Sequence, residues 1–225
     1  MKRISYTVIL FVVGFLFTIG LAYADEKVET ENLVDKATTV VQGFASDPNL
    51  EWFREKVKEA KALVIIPQSI KGAFFVGGSG GSGVLIAKDA TSGEWSYPAF
   101  YTMGSISIGM QFGGEASEVI LMVMTDRGME KLLTSSFKLG ADLTVAAGPV
   151  GGGAKAQTAD VLTYARSKGA FGGMSIDGAV IKTRDQRNEA YYGKPVSSTD
   201  IIIRKSVVNP HADKLRAAVG EATLK

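Results

Sequence analysis

Cysteine is absent from all 225 residues, and histidine occurs once, as His211. Without thiols there is no disulfide framework, no thiolate metal site, no cysteine nucleophile and no cysteine to carry an N-terminal lipid. With one imidazole, a Ser–His–acid relay has a single possible base, and a metal site would rest on carboxylates. His211 follows Pro210 near the C-terminus and reads as a solvated residue opening a terminal helix. The carboxylates Asp89, Glu94, Glu115, Glu118, Asp126, Asp142, Asp160 and Asp177 are scattered and follow no calcium-loop spacing. A carboxylate pair could still assemble in space, as in a glycosidase, but no pattern favours one. No catalytic residue, metal site or cofactor is expected.

Excess charge is missing too. Residues 1–24 hold two of the 25 basic residues, Lys2 and Arg3, and none of the 23 acidic ones. The remaining 201 residues therefore carry 23 of each sign and no net charge. Nothing resembles the basic stripe of a nucleic-acid-binding protein, so nucleic acid is excluded as a partner.

What those first 24 residues contain is an export signal. A basic start precedes the apolar stretch Ile4 to Leu21, and Ala22-Tyr23-Ala24 supplies a small-x-small cleavage pattern before Asp25. The apolar stretch is also about long enough to cross a bilayer, which leaves an uncleaved anchor as the alternative. The expected organisation is a signal over 1–24, an N-terminal helix over 25–45 and one domain over 46–225. The location that follows is the periplasm or cell envelope.

Two helices open the exported part. Leu33, Val34, Ala37, Val40, Val41 and Phe44 recur at helical spacing. Ser46-Asp47-Pro48 then breaks the pattern, with Asp47 as N-cap and Pro48 in the first turn of the next helix. From Leu50 to Lys61, one face carries Leu50, Phe53, Val57 and Ala60, and the other mixes Glu51, Arg54, Glu55, Lys58 and Lys61. Trp52 lies roughly 100° from Phe53 around this helix. It either packs beneath a neighbouring loop or sits at a membrane interface, where an amphipathic indole is favoured.

Beyond Leu63 the period changes to that of strands. Ala62 to Pro67 is a short apolar run, and Gly77-Gly78-Ser79-Gly80-Gly81-Ser82-Gly83 separates Gly72–Val76 from Val84–Ala87. The glycine tract reads as the connection of a hairpin. Gly78-x-Gly80-x-x-Gly83 matches the dinucleotide fingerprint, and Gly77-x-Ser79-x-Gly81 matches the nucleophile elbow. Both need a helix to begin at the glycines, and a strand follows instead. Ser105 to Gly113 alternates as a half-buried strand, and Val119 to Met124 is apolar throughout, as befits the centre of a sheet. Asp126 caps a short helix carrying Met129, Leu132, Leu133 and Phe137. Strands are expected over 141–147, 160–167 and 171–182, with Gly148 to Gly153 as a second glycine-rich connection. A helix over 184–192 ends at Gly193, residues 200–208 are ambiguous, and a last helix follows Pro210.

Glycine supplies 24 of the 201 exported residues, well above the usual ~7%. Glycine within repeated strands bends them. The expected class is therefore α+β: a strongly curved, barrel-like, mainly antiparallel sheet with N-terminal amphipathic helices and short C-terminal helices.

Several ordered motifs carry a family resemblance. They are Lys71-Gly72-Ala73-Phe74, the glycine tract, Glu94-Trp95-Ser96-Tyr97-Pro98-Ala99-Phe100-Tyr101 and Ser107-Ile108-Gly109-Met110-Gln111-Phe112-Gly113. Leu139-Gly140-Ala141-Asp142, Ala146 to Gly151, Tyr164 to Gly169 and Tyr191-Tyr192-Gly193 continue the series. Together they resemble the SYLF-domain (Ysc84-like) family over about residues 46–205. The resemblance implies a lipid-binding module, actin-binding in some eukaryotic members, and not an enzyme. Phosphoinositide binding in eukaryotic members is associated with an amphipathic helix opening the domain. Carried to this chain, it implies lipid contact at Leu50, Trp52, Phe53, Arg54, Val57, Lys58 and Lys61, with Lys71 from the first motif. With an export signal, the expected partner is a phospholipid or membrane surface rather than actin. An envelope scaffold that binds protein is the alternative. A hydrolase using carboxylates or Ser79 ranks third.

Overall fold

The computed structural model describes residues 6–73, 76–108, 113–148, 158–167, 170–172, 176 and 178–224. A single helix, α1, runs from Tyr6 to Ser46, through both the expected signal and the expected first helix. A 3-10 turn over Pro48–Leu50 and helix α2 (Glu51–Glu59) follow. Asp47 caps that turn as expected, its carboxylate accepting from the Asn49 amide at 2.8 Å.

Four long strands make the middle of the sheet: β1 (Ala62–Ala73), β2 (Val76–Ala87), β3 (Ala99–Ile108) and β4 (Gly113–Val123). After helix α3 (Asp126–Leu132) come β5 (Ser136–Lys138), β6 (Val145–Ala147), β7 (Val161–Ser167), β8 (Ala170–Gly172) and β9 (Val180–Thr183). The order across the sheet is β5-β9-β3-β2-β1-β4-β7-β6, with β8 also pairing β7. Every pairing is antiparallel except β6 with β7. Helices α4 (Asp185–Tyr192), α5 (Ser198–Ile202) and α6 (Asp213–Ala222) close the chain. The expected α+β class with a curved, mainly antiparallel sheet and flanking helices is what forms.

Both faces of the sheet are covered, and the two-residue period sorts them. Leu63 and Ile65 of β1, Val84 and Ile86 of β2, and Ile120 and Met122 of β4 face one cluster. That cluster also takes Val34, Ala37, Val40, Val41 and Phe44 of α1, Phe53 and Val57 of α2, and Leu215 and Val219 of α6. Val64, Ile66, Leu85, Val119, Leu121 and Val123 face the other side, with Leu132, Phe137, Ile181, Ile201 and Ile202. Helix α1 thus shares one core with the sheet.

The glycine tract is a correction. Residues 77–83 are no connection between strands; they lie within β2, paired to β1 and β3. The link between β1 and β2 instead falls on residues 74–75, outside the described residues. The glycines are needed because β1 bulges beside them. Ile65 pairs Val84 and Ile70 pairs Gly80, so four residues of β1 oppose three of β2. On the other side Pro67 and Gln68 together oppose Glu118 of β4. Proline lacks the ladder donor and is tolerated at such a bulge. The bulged backbone crowds its neighbour: a Cβ on Gly81 would lie 2.5 Å from the Gln68 carbonyl oxygen, and one on Gly83 2.5 Å from that of Ile65.

Smaller corrections follow from pairing that local pattern does not record. The strand expected over 105–113 is divided between β3 and β4, with 109–112 outside the described residues. β4 lies next to the central pair β1 and β2 rather than at the centre. Thr125, not Asp126, caps α3, its hydroxyl accepting from the Gly128 amide at 3.1 Å. The strand expected over 141–147 shortens to β6, because a turn occupies 140–142. The one over 171–182 resolves into β8 and β9, with 173–175 and 177 outside the described residues. Of the second glycine-rich connection, residues 149–153 lie outside them too. The ambiguous stretch 200–208 begins within α5, which is opened by a capping box between Ser197 and Asp200.

Candidate functional site

Helix α2 divides the residues expected to touch lipid. Leu50, Phe53 and Val57 point into the core, Phe53 and Val57 with no exposed surface. The Phe53 ring meets Phe44 at 5.5 Å and Tyr164 edge-on at 5.2 Å. Trp52 is half-buried, 6.4 Å from the Tyr164 ring, with the Lys56 ammonium 5.6 Å from its own ring centre. Packing therefore accounts for part of its surface and solvent for the rest. Arg54 turns back to donate to the Asp47 carbonyl. Lys58 is exposed, and Lys61 donates to Asp126 at 2.8 Å. Lys71 is not brought to this group: it lies on β1 opposite Ser79 and Glu115, about 30 Å along the strand from Lys61.

The C-terminal end of α2 opens instead onto a cleft of about 730 Å³ that local sequence did not reveal. One wall is the α2 end with Lys58 and Lys61. A second is the β2–β3 connection, from Lys88 to Tyr97. The third is α5 and the segment after it, with Ile203, Lys205 and Val208. Lys88 and Trp95 form a bridge at the base of the connection, and Asp89 folds its turn by accepting from the amides of Thr91 at 2.9 Å and Ser92 at 2.7 Å. Lys205, in the left-handed region at φ 50°, reaches across to Asp89. That bond, with the Ser92 and Thr91 amides, holds the Asp89 carboxyl well below the usual carboxylate range. Arg216 donates to the Trp95 carbonyl at 2.7 Å and lies 4.4 Å over the Tyr97 ring, whose hydroxyl donates to Asp213 at 3.1 Å. Burial, then the bond to Asp213, raises the Tyr97 phenol, against the nearby Arg216.

Charge at this cleft is partly spent. Lys61, Lys205 and Arg216 have acidic partners in Asp126, Asp89 and Asp213. Lys58 and Lys88 have none among the described residues; the Lys88 ammonium donates only to the Lys58 carbonyl, at 3.4 Å. Ile203 and Val208 are 55% and 66% exposed. Of these residues, sequence singled out Lys58 and Lys61 as expected lipid contacts, and Trp95 and Tyr97 as part of a motif of the family resemblance. Trp95 packs in the core and also lines the cleft. The rest come from stretches more than a hundred residues apart, with no shared spacing to mark them.

Ser79 and His211 are not brought together. Ser79 sits mid-strand with its hydroxyl 2.7 Å from that of Ser105. His211 is elsewhere, 3.1 Å from the Tyr191 hydroxyl and 3.4 Å from Asp35. No helix begins at the glycines, so neither motif has its required context. Among the described residues, no group of three or more acidic or histidine side chains is placed to hold a metal ion.

A curved sheet backed by helices, with a charged and apolar cleft at one end, defines an α+β binding domain. The chain belongs to the Ysc84 family, described as "Las17-binding protein actin regulator", whose family model matches residues 104–222, just over half the chain. It is 32% identical over 152 residues to the human SH3 domain-containing YSC84-like protein 1, covering 65% of this chain and 44% of that protein. It is 30% identical over 194 residues to protein YSC84 of Saccharomyces cerevisiae, covering 80% and 41%. LAS seventeen-binding protein 3 of the same yeast is 29% identical over 194 residues, covering 80% and 42%. The chain thus spans less than half the length of these curated relatives. The family is one of binding and regulation.

Proposed function

We propose that this chain is an exported, non-enzymatic module that attaches to phospholipid surfaces of the cell envelope. The observation that carries the reading is the pairing, at one corner, of the exposed apolar side chains Ile203 and Val208 with the ammonium groups of Lys58 and Lys88, which have no acidic partner among the described residues. Such a corner suits an interface where acyl chains and anionic headgroups meet. Each lysine near an anionic surface contributes about 1 kcal/mol, so attachment is modest and salt-sensitive. Export rests on Lys2 and Arg3, the apolar run and Ala22-Tyr23-Ala24. Cleavage after Ala24 would spare the fold's first long-range ion pairs, from Arg187 to Glu26 at 3.1 Å and to Glu29 at 3.2 Å.

Vesicle flotation tests this with protein beginning at Asp25 and vesicles of phosphatidylglycerol and phosphatidylethanolamine. The protein is expected to float with them at low salt, and the Lys58→Glu, Lys88→Glu double variant to bind at least about thirtyfold less tightly. Absence of flotation with any anionic mixture would overturn the reading.

A second reading, an envelope protein that binds another protein, draws support from the family, described as a Las17-binding protein, and from the yeast relative LAS seventeen-binding protein 3. Cross-linking in the native envelope that captures one defined protein, while vesicles stay bare, would favour it. Actin is not proposed as a partner.

A further inference from the structure

The cleft at the end of α2 is a pocket, not only a patch. Its volume of about 730 Å³ lies within the range of small-molecule sites. Two of the six large apolar side chains exposed among the described residues, Ile203 and Val208, fall on its lining. Ile201, Ile202 and Val207 continue the apolar wall inward. Across from them stand Lys58 and Lys88, with donors not taken up by any described carboxylate.

We propose that this cleft takes one molecule of a single-chain anionic amphiphile. Its acyl chain lies along the wall of Ile203 and Val208, and its carboxylate or phosphate head sits between Lys58 and Lys88. The chemistry is complementary at both ends: the wall loses water that it now holds against apolar surface, and two ammonium groups gain an anion. A peptide would fit less well. Ala87 of β2, which lines the cleft, is paired to Ala62 of β1 on one side and accepts from the Ser96 amide on the other, so β2 offers no edge there for an added strand. The Lys205–Asp89 contact links the two walls and leaves the opening bounded by Lys205, a residue held in a sparsely populated backbone region. Backbone strain of that kind persists where the surroundings fix it, and here it aims the Lys205 side chain at the facing wall.

The proposal deepens the membrane-surface reading and rests on it, but a test without a bilayer separates the two. Protein beginning at Asp25 is titrated with lysophosphatidylglycerol below its critical micelle concentration. Tryptophan fluorescence and native mass measurement report binding, since Trp95 lines the cleft. Saturable binding of one molecule per chain is expected. Val208→Glu should weaken it about tenfold or more, the equivalent of leaving one such side chain unburied. The Lys58→Glu, Lys88→Glu variant should weaken it similarly, and a monoacylglycerol with an uncharged head should bind about tenfold less tightly. All substituted side chains are exposed or half-buried, and thermal unfolding checks that the variants remain folded. No saturable binding, or equal binding by Val208→Glu or by the uncharged analogue, would overturn the proposal. Wild-type protein that floats with vesicles yet binds no monomer loses the pocket and keeps the surface reading. Monomer binding without flotation keeps the pocket and loses the surface.

Discussion

Replacing Gly83 by Ala tests whether the glycine tract is a strand pressed against a bulge. The added Cβ would lie 2.5 Å from the Ile65 carbonyl oxygen and 2.8 Å from a side-chain carbon of Ile66. A carbon and a carbonyl oxygen normally approach no closer than about 3.3 Å, so the backbones must separate by nearly an ångström. Both strands are interior, β1 held by β4 and β2 by β3, and neither can swing outward alone. Overpacking of this kind costs about 1–3 kcal/mol, and contact with backbone rather than a movable side-chain tip places it at the upper end. Loss of glycine's freedom in the unfolded chain returns about 0.4–1 kcal/mol, which leaves a net cost of about 2 kcal/mol. Gly104 on β3 is the control. A Cβ there meets nothing within 4 Å, so Gly104→Ala should be neutral or slightly stabilising. Urea unfolding at constant slope should separate the two variants by about 2–3 kcal/mol, and melting points by roughly 4–12 °C for a chain of this size. If Gly83→Ala proved no more costly than Gly104→Ala, the tight contact between β2 and the bulge would be refuted.

Two further outcomes follow from burial. Phe53→Ala should cost about 3–5 kcal/mol, because the ring is fully enclosed between Phe44 and Tyr164, whereas half-buried Trp52→Ala should cost clearly less; calorimetric melting of both variants checks the order. Asp160 contributes to the acid limb of stability, beside the lowered carboxyls of Asp89 and Asp200. Burial raises its carboxyl, but hydrogen bonds from Thr125 at 2.6 Å and from the Thr144 amide and hydroxyl at 2.9 Å, with Arg127 nearby, outweigh that and hold it below its ordinary 3.8. A lowered folded-state value means that its contribution is complete above the unfolded-state value and fades as pH falls through the folded one. Stability followed by urea titration from pH 6 to pH 2 should therefore drop below about pH 4, and Asp160→Asn should lose about 1–3 kcal/mol at pH 6 while flattening that drop.

Legibility in the sequence tracked how local the cause was. The α1 and α2 stripes, Asp47 as a cap, the end of α4 at Gly193 and the burial of Val119 to Val123 were all readable, because each rests on neighbours three or four residues away or on alternation. Gly193 sits at φ 72°, where glycine ends a helix without strain. The glycine tract misled because a turn and a crowded strand both select glycine; only the partner strand, with Pro67 and Gln68 in excess, tells them apart. On α2 the periodicity correctly separated Phe53 and Val57 from Lys58, but a buried stripe is a core stripe, and it turned the expected lipid contacts Leu50, Phe53 and Val57 inward. The cleft was invisible because Lys88, Ile203, Lys205 and Val208 meet only after the sheet has brought the β2–β3 connection beside α5.

The extra residue at Pro67–Gln68 also sets how the chain tolerates length changes. Proline beside glutamine looks like a loop, where losing one residue would ordinarily be harmless. In β1 such a deletion would leave three residues facing three of β2 and one facing Glu118 of β4, so Ile65, Ile70 and Ser69 would keep their partners and facing. What would go is the local bend and the added twist that the bulge imparts. The most loop-like pair of residues in the sheet thus holds a residue that the ladders can spare but the curvature cannot.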